Sequence, residues 1–278
     1  MNTLLFTLLV GAGSVIAGLL GSLTGLGGGV VIVPLLTLVF GVDIRYAVGA
    51  SLVSIIATSS GAASAYVREG FTNIRAGMFL EIATTFGAIA GASLAVFFAP
   101  SVIAVIFGIV LIYSAYLSSH PPVEELSRTP DRVTAWLRMN SSYPSPTGEM
   151  IPYIVHNVPG GFSIMFVAGA LSGLLGIGSG ALKVLAMDRV MRMPFKVSTT
   201  TSNFMIGVTA AASAGIYLGN GYIEPGLAMP VMLGVLIGSL TGARILKEAK
   251  SKTLRMIFVL AILVLGIEMI YNGLTGRF

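Results

Sequence analysis

Two glycine runs, Gly25-Leu26-Gly27-Gly28-Gly29 and Gly176-Ile177-Gly178-Ser179-Gly180, interrupt apolar stretches. Glycine adopts backbone geometry closed to other residues and leaves N–H groups bare. Broken backbone at membrane depth is tolerated only when buried in protein or lining a watery cavity. A helix that starts just after such a run offers free N–H groups and the positive end of its dipole, which suits an anion. Close helix packing through small residues is the other use of such glycines. Two runs at matching places favour a site. Gly25, Gly27, Gly28 and Gly29, with Gly176, Gly178, Ser179 and Gly180, are therefore candidate substrate contacts, Ser179 adding a hydroxyl. Lys183 lies three residues further on. An ionisable group inside an apolar span faces a cavity or a partner, and a bound anion would explain a cation near a helix N-terminus. Snorkelling and pairing with Asp188 are the alternatives. The cluster Ser198-Thr199-Thr200-Thr201-Ser202-Asn203 and its counterpart around Ser51 and Ser54 offer neutral donors to an oxyanion, or helix caps. Asn203, expected deepest on its helix, and Ser51 are the chosen donors. Glu81 and Glu268 are lone acids in apolar spans. Glu81 is the proton-coupling candidate, since a buried carboxyl can hold a proton; an ion pair with Arg75 is the alternative.

The elements that must position these residues are membrane helices. Of 278 residues, 55% are hydrophobic and only 10% charged, against roughly 25% charged in soluble domains. Mean hydropathy is +0.92. That excludes a soluble enzyme, a disordered chain and a nucleic-acid binder. Long continuous apolar runs exclude the alternating pattern of a β-barrel. The N-terminal apolar stretch has no basic residue before it and reads as a first membrane segment, not a cleaved signal. There is no Cys, and the two His, His120 and His156, fall in or near the polar middle. No phosphate-loop ending, metal-ligand pattern or nucleophilic triad appears. No catalytic residue, cofactor or metal is assigned, and the chain reads as a non-enzyme. Apolar stretches run at about 3–23, 26–40, 46–67, 74–98 and 101–118, and again at about 160–177, 180–193, 196–218, 225–246 and 253–275. Residues 119–158 are polar and Pro/Ser-rich, with a short helix expected around Thr134–Arg138 and extended pieces near Tyr153. The division is a first transmembrane repeat 1–118, a polar cytoplasmic loop 119–158 and a second repeat 159–278.

The halves look like one unit written twice. A shift of 151 positions aligns Ala17 to Ala92 without a gap, placing AGLLGSLTGLGGG on AGALSGLLGIGSG, Ser51 on Ser202, Thr58 on Thr209 and Tyr66 on Tyr217. Corresponding loops carry opposite charge bias. Loop 68–75 holds Arg68 and Arg75, while 219–226 holds no Lys or Arg; loop 98–101 holds none, while 246–254 is strongly basic. The positive-inside rule then places the basic loops in the cytoplasm and both termini outside. Copies with opposite bias face opposite ways, the inverted repeat of secondary transporters, whose site lies where the halves meet. The expected fold is all-α integral membrane, two inverted-topology repeats, each opening with a Gly-broken and re-entrant helix pair. Tyr66 and Tyr217 read as an interfacial belt. The basic run Lys247–Arg255 reads as an orientation signal and a contact for anionic lipid. An oligomer is compatible with all of this.

AGLLGSLTGLGGGVVIVPLL, SGLLGIGSGALKVLAMDRVMRMPFKVSTTTSNFMIGVTA and GYIEPGLAMPVMLGVLIGSLTGAR together resemble the TauE/SafE sulfite-exporter family over nearly the whole chain outside the polar middle. The resemblance implies a plasma-membrane transporter for sulfite, organosulfonates or related small anions. The family's glycine motif maps onto Gly25–Gly29 with Pro34, and onto Gly176–Gly180. The second copy departs from it at Ser179, where a third glycine is usual, and at Leu185, opposite Pro34. The functional expectation is a secondary transporter that exports a small anion by alternating access. A passive anion channel and a membrane subunit of a larger complex are the alternatives.

Overall fold

The computed structural model describes residues 3–24, 28–68, 70–119, 132–144, 149–246 and 251–276. Gly25, Gly27 and residues 247–250 lie outside them. The chain is 79% helical, which fixes the all-α class. Helix α1 (Thr3–Thr24) is followed by the short α2 (Gly29–Pro34), which runs into a π-helical turn at Leu35–Val39, and then by α3 (Ile44–Arg68), α4 (Ile74–Ala95) and α5 (Pro100–Ser119). After a short α6 (Arg132–Trp136) and the paired strands β1 (Ser141–Pro144) and β2 (Met150–Tyr153), the order recurs. It gives α7 (Val158–Leu175), the short α8 (Gly180–Leu185) with its π turn Ala186–Val190, α9 (Phe195–Gly219), α10 (Pro225–Leu246) and α11 (Ser251–Leu274). Adding 151 to the bounds of α2, its π turn, α3 and α4 gives the bounds of α8, its π turn, α9 and α10. The short helix of the polar segment, expected around Thr134–Arg138, spans Arg132–Trp136, two residues earlier, and the second strand ends on Tyr153 as expected.

The core is built between the two sets of helices. α1 lies along α10, α4 along α7, α5 along α11 and α3 along α9. Glycine permits the closest of these approaches. A Cβ added at Gly87 or Gly91 would run into the carbonyls of Phe166 and Ala170, and one at Gly169 or Gly173 into those of Thr84 and Ala88. Here glycine serves packing, as small residues do between helices in lipid. Gly169→Val is therefore expected to wedge α4 from α7. Its overpacking costs about 1–3 kcal/mol, visible as a lower melting temperature in detergent, while Gly215→Val, which meets nothing nearby, should change little.

Outward faces are apolar. Phe86, Leu240 and Leu260 are each more than half exposed, a surface that suits lipid and not water. α4 and α7 are long and apolar enough to cross a membrane.

Two groups of contacts fix how α3 and α9 run. At one end, Thr200 Oγ1 donates to the Phe71 carbonyl at 3.0 Å and the Asn73 N–H to Thr201 Oγ1 at 3.0 Å. Asn73 also caps α4 and donates from Nδ2 to the Met139 carbonyl and to Tyr153 Oη. Burial holds the Tyr153 phenol above its usual value, so it stays protonated and this clamp on the polar segment does not titrate near neutrality. At the other end, Arg45 Nη2 donates to the Phe98 carbonyl at 2.9 Å and Arg45 packs on Tyr222. The start of α3 thus meets the end of α9, and the end of α3 meets its start. The two helices are antiparallel, each about 37 Å long at ~1.5 Å per residue.

Candidate functional site

Gly29 of the first run meets Gly176 of the second beside α3, and Gly178 lies between α3 and α9. Gly29 sits so close to the Gly176 carbonyl, Ser51 and Ile55 that no Cβ fits there. Ser51 Oγ donates to the Gly176 carbonyl at 2.7 Å, a bond from the first set of helices to the second, and Ser202 Oγ donates to the Gly180 carbonyl at 3.3 Å. Gly178 faces Ile206 and Ile55, counterparts under the 151 shift. Gly28 faces Val235 of α10.

The second turn is the more unusual backbone. Gly176, Gly178 and Ser179 all have positive φ, with Ser179 at φ 47°. Its counterpart Gly28 has an ordinary right-handed φ of −64°. A left-handed residue bearing a Cβ costs roughly 1–2 kcal/mol. Ser179 is buried and its hydroxyl has no hydrogen-bond partner. Ser179 thus combines a left-handed backbone with a buried hydroxyl that lacks a partner, as several other buried polar atoms among the described residues also do.

One turn along α8, Lys183 is fully buried. Its Nζ donates to Thr209 Oγ1, which donates in turn to Glu81 Oε1 at 2.7 Å; Thr85 Oγ1 donates to the same oxygen at 3.2 Å. Glu81 Oε2 lies 3.8 Å from Nζ and has no hydrogen bond of its own. The acid that meets Lys183 is therefore Glu81, from α4, and Arg75 instead donates to the Arg138 carbonyl at 3.0 Å. The sequence marked Lys183 and Glu81 separately and did not join them. A lone cation and a lone acid in apolar spans each need a counter-charge, and that was the available signal. Thr209 was noted only as the counterpart of Thr58. The pair exists in one copy only. The counterparts of Lys183, Glu81 and Thr209 are Ile32, Met232 and Thr58.

Other expectations need correction. Asn203 is half-buried, while Thr201 and Ser202 beside it are fully buried. Ser198, Ser202, Met205 and Thr209 follow the helical period and form the buried stripe; Asn203 is turned about 100° from Ser202. Tyr217 is no belt residue, being buried with its hydroxyl donating to the Leu174 carbonyl; the Tyr66 side chain lies outside the described set. Glu268 is exposed on α11. Neither π turn was foreseen, though such turns collect at functional sites.

The ends of the α3–α9 pair carry matched contacts. Arg45 stacks on the Tyr222 ring at 5.6 Å and Lys196 on the Phe71 ring at 3.8 Å. Arg45 maps onto Lys196, and Phe71 onto Tyr222. Each cation is covered by an aromatic from the other set of helices.

The described helices form a bundle with apolar outward faces and a buried ion pair beside the second glycine turn, and relatives named as membrane transporters give its class. The comparisons place it further: the chain belongs to the sulfite exporter TauE/SafE family, whose profile matches residues 10–269. It is 31% identical to the "Probable membrane transporter protein YunE" of Bacillus subtilis, over 97% of this chain and 98% of that one. It is 27% identical to a "Probable membrane transporter protein" of Methanocaldococcus jannaschii, over 96% of both chains. No solved structure matches the chain.

Proposed function

We propose that the chain carries a small anion, sulfite or an organosulfonate first among candidates, out across the plasma membrane by alternating access between two inverted repeats, 1–118 and 159–278. Residues 119–158 are the cytoplasmic loop and both termini are outside. The observation that carries the reading is the buried Lys183 ammonium one turn from the unpartnered Ser179 hydroxyl. The anion sits between the two glycine turns, taking charge from Lys183 and a donor from Ser179. Backbone at Gly28, Gly29, Gly178 and Gly180 shapes the space, and Asn203 lies beside the path. Ser51, its proton already on the Gly176 carbonyl, holds the turns together. The antiparallel α3 and α9 support the inverted repeat, and the loop charges support the orientation.

The test is binding of sulfite, sulfate, sulfoacetate, taurine and inorganic phosphate to the purified chain, followed by flux in liposomes. Ser179→Ala should weaken the best ligand about tenfold, the worth of one hydrogen bond to a charged group. It leaves no other bond broken, so its fold should hold. Unchanged affinity would remove Ser179 from the site. A transporter saturates and is stimulated by substrate on the far side; flux that simply follows voltage would mean a channel.

Orientation is read separately. The chain has no cysteine, so single cysteines at positions 70 and 221 report cleanly. A membrane-impermeant maleimide added to whole cells should label position 221 and spare position 70. Equal labelling from one face would end the inverted arrangement.

A further inference from the structure

We infer that Glu81, Thr209 and Lys183 form a single exchange site in which a proton on Glu81 and an anion on Lys183 bind together, making the chain an anion–proton symporter. This rests on the anion site proposed above. In the present structure the lysine is held by the acid through Thr209, and the direct N–O distance of 3.8 Å is longer than a hydrogen bond. An ammonium has three N–H donors, and Lys183 directs one of them to Thr209. The ammonium therefore keeps donor capacity beyond the Thr209 bond, with Glu81 Oε2 at 3.8 Å as its counter-charge.

The chemistry is an exchange of counter-ions. With Glu81 ionised, its carboxylate neutralises Lys183, and an arriving anion would bring a second negative charge into a buried site. When a proton adds to Glu81 Oε2, the oxygen with no hydrogen bond, the acid becomes neutral and Lys183 is left without a counter-charge. The anion then supplies it. The ammonium keeps all its protons throughout. The empty and loaded sites have the same net charge for a monovalent anion, so the cycle is electroneutral. Both ligands move the same way, so export runs where the outward gradient of the anion exceeds the opposing inward gradient of protons.

Among the described residues, the charges on the elements around this pair have contacts of their own, Asp188 and Arg189 on the π turn beyond Lys183 included. α7 carries no titratable side chain. On α9, Lys196 stacks on Phe71 near one end and Tyr217 bonds to the Leu174 carbonyl near the other. On α4, Arg75 bonds to the Arg138 carbonyl. Around Glu81 itself there are Lys183 and the hydroxyls of Thr84, Thr85 and Thr209.

Methanesulfonate is the probe, because it carries no proton of its own near neutrality. In liposomes holding the full chain and an internal pH dye, an inward methanesulfonate gradient should acidify the lumen, one proton per anion. Binding to the purified chain should weaken about tenfold for each pH unit once Glu81 is ionised, the slope of one linked proton. Glu81→Gln should bind with no pH dependence, exchange the anion across the membrane and move no protons. Should that variant fail to fold, the wild-type slope and proton flux still decide. Anion binding with a flat pH profile, or proton flux surviving in Glu81→Gln, would overturn the coupling while leaving the anion site standing. If methanesulfonate and the five anions named above all fail to bind, the anion site falls and the coupling falls with it.

Discussion

Lys183→Met is expected to abolish anion binding and to lower the melting temperature by roughly 10 °C; adding Glu81→Gln is expected to restore the melting temperature but not the binding. The first effect has two parts. Methionine matches the lysine in length and fits its fully buried seat, so packing changes little. What goes is the counter-charge of Glu81, and a buried charge stripped of its partner costs about 3–5 kcal/mol. Glutamine removes that orphan, because its amide is neutral and can still accept from Thr209 and Thr85. Well-packed neutral replacements of a buried pair are often as stable as the pair. The cycle therefore separates a charge kept for stability from one kept for function. If the double variant stays as unstable as the single one, the two groups do not act as a pair. If Lys183→Met still binds the anion, the charge at the site comes from elsewhere. Melting curves with and without sulfite, on all four proteins of the cycle, give both answers.

The duplicated framework was legible in the sequence because turn chemistry repeats with the copies. Asn73-Ile74 and Glu224-Pro225 start equivalent helices, and Gly70 and Gly221 take the same positive φ. Helix bounds from Gly29 to Ala95 therefore recur at a fixed offset. The glycine turns were legible for the same reason. The ion pair was not, because it breaks the repeat. Lys183 and Glu81 are not counterparts, and their own counterparts, Ile32 and Met232, are apolar. Self-alignment shows where the copies agree, and the asymmetric chemistry lies where they differ. Asn203 was misplaced because its helix carries polar residues at six successive positions, 198–203. Such a run has no face until the helical phase is known.

The two stacked cations sit at opposite ends of the α3–α9 pair, and under the proposed alternating access removing either aromatic is expected to shift the protein in the opposite sense to removing the other. Phe71→Ala uncovers Lys196 at the end beside the polar segment; Tyr222→Ala uncovers Arg45 at the far end. A cation–π contact is worth about 0.5–2 kcal/mol, so each loss changes the ratio of inward-open to outward-open states roughly 2- to 30-fold. Arg45 keeps its bond to the Phe98 carbonyl when Tyr222 is lost, while Lys196 has no such second anchor among the described residues, so Phe71→Ala has the cleaner effect. Neither aromatic touches Lys183 or Ser179, so intrinsic affinity for the anion should be unchanged. The readout is the reaction rate of a single cysteine at position 203, half-buried on α9, with an impermeant reagent applied from each face. Phe71→Ala should speed labelling from the cytoplasmic face and slow it from outside, and Tyr222→Ala should do the reverse. A rise from both faces in either variant would mean that the aromatics merely pack the bundle, and the alternating gate would have to be sought elsewhere.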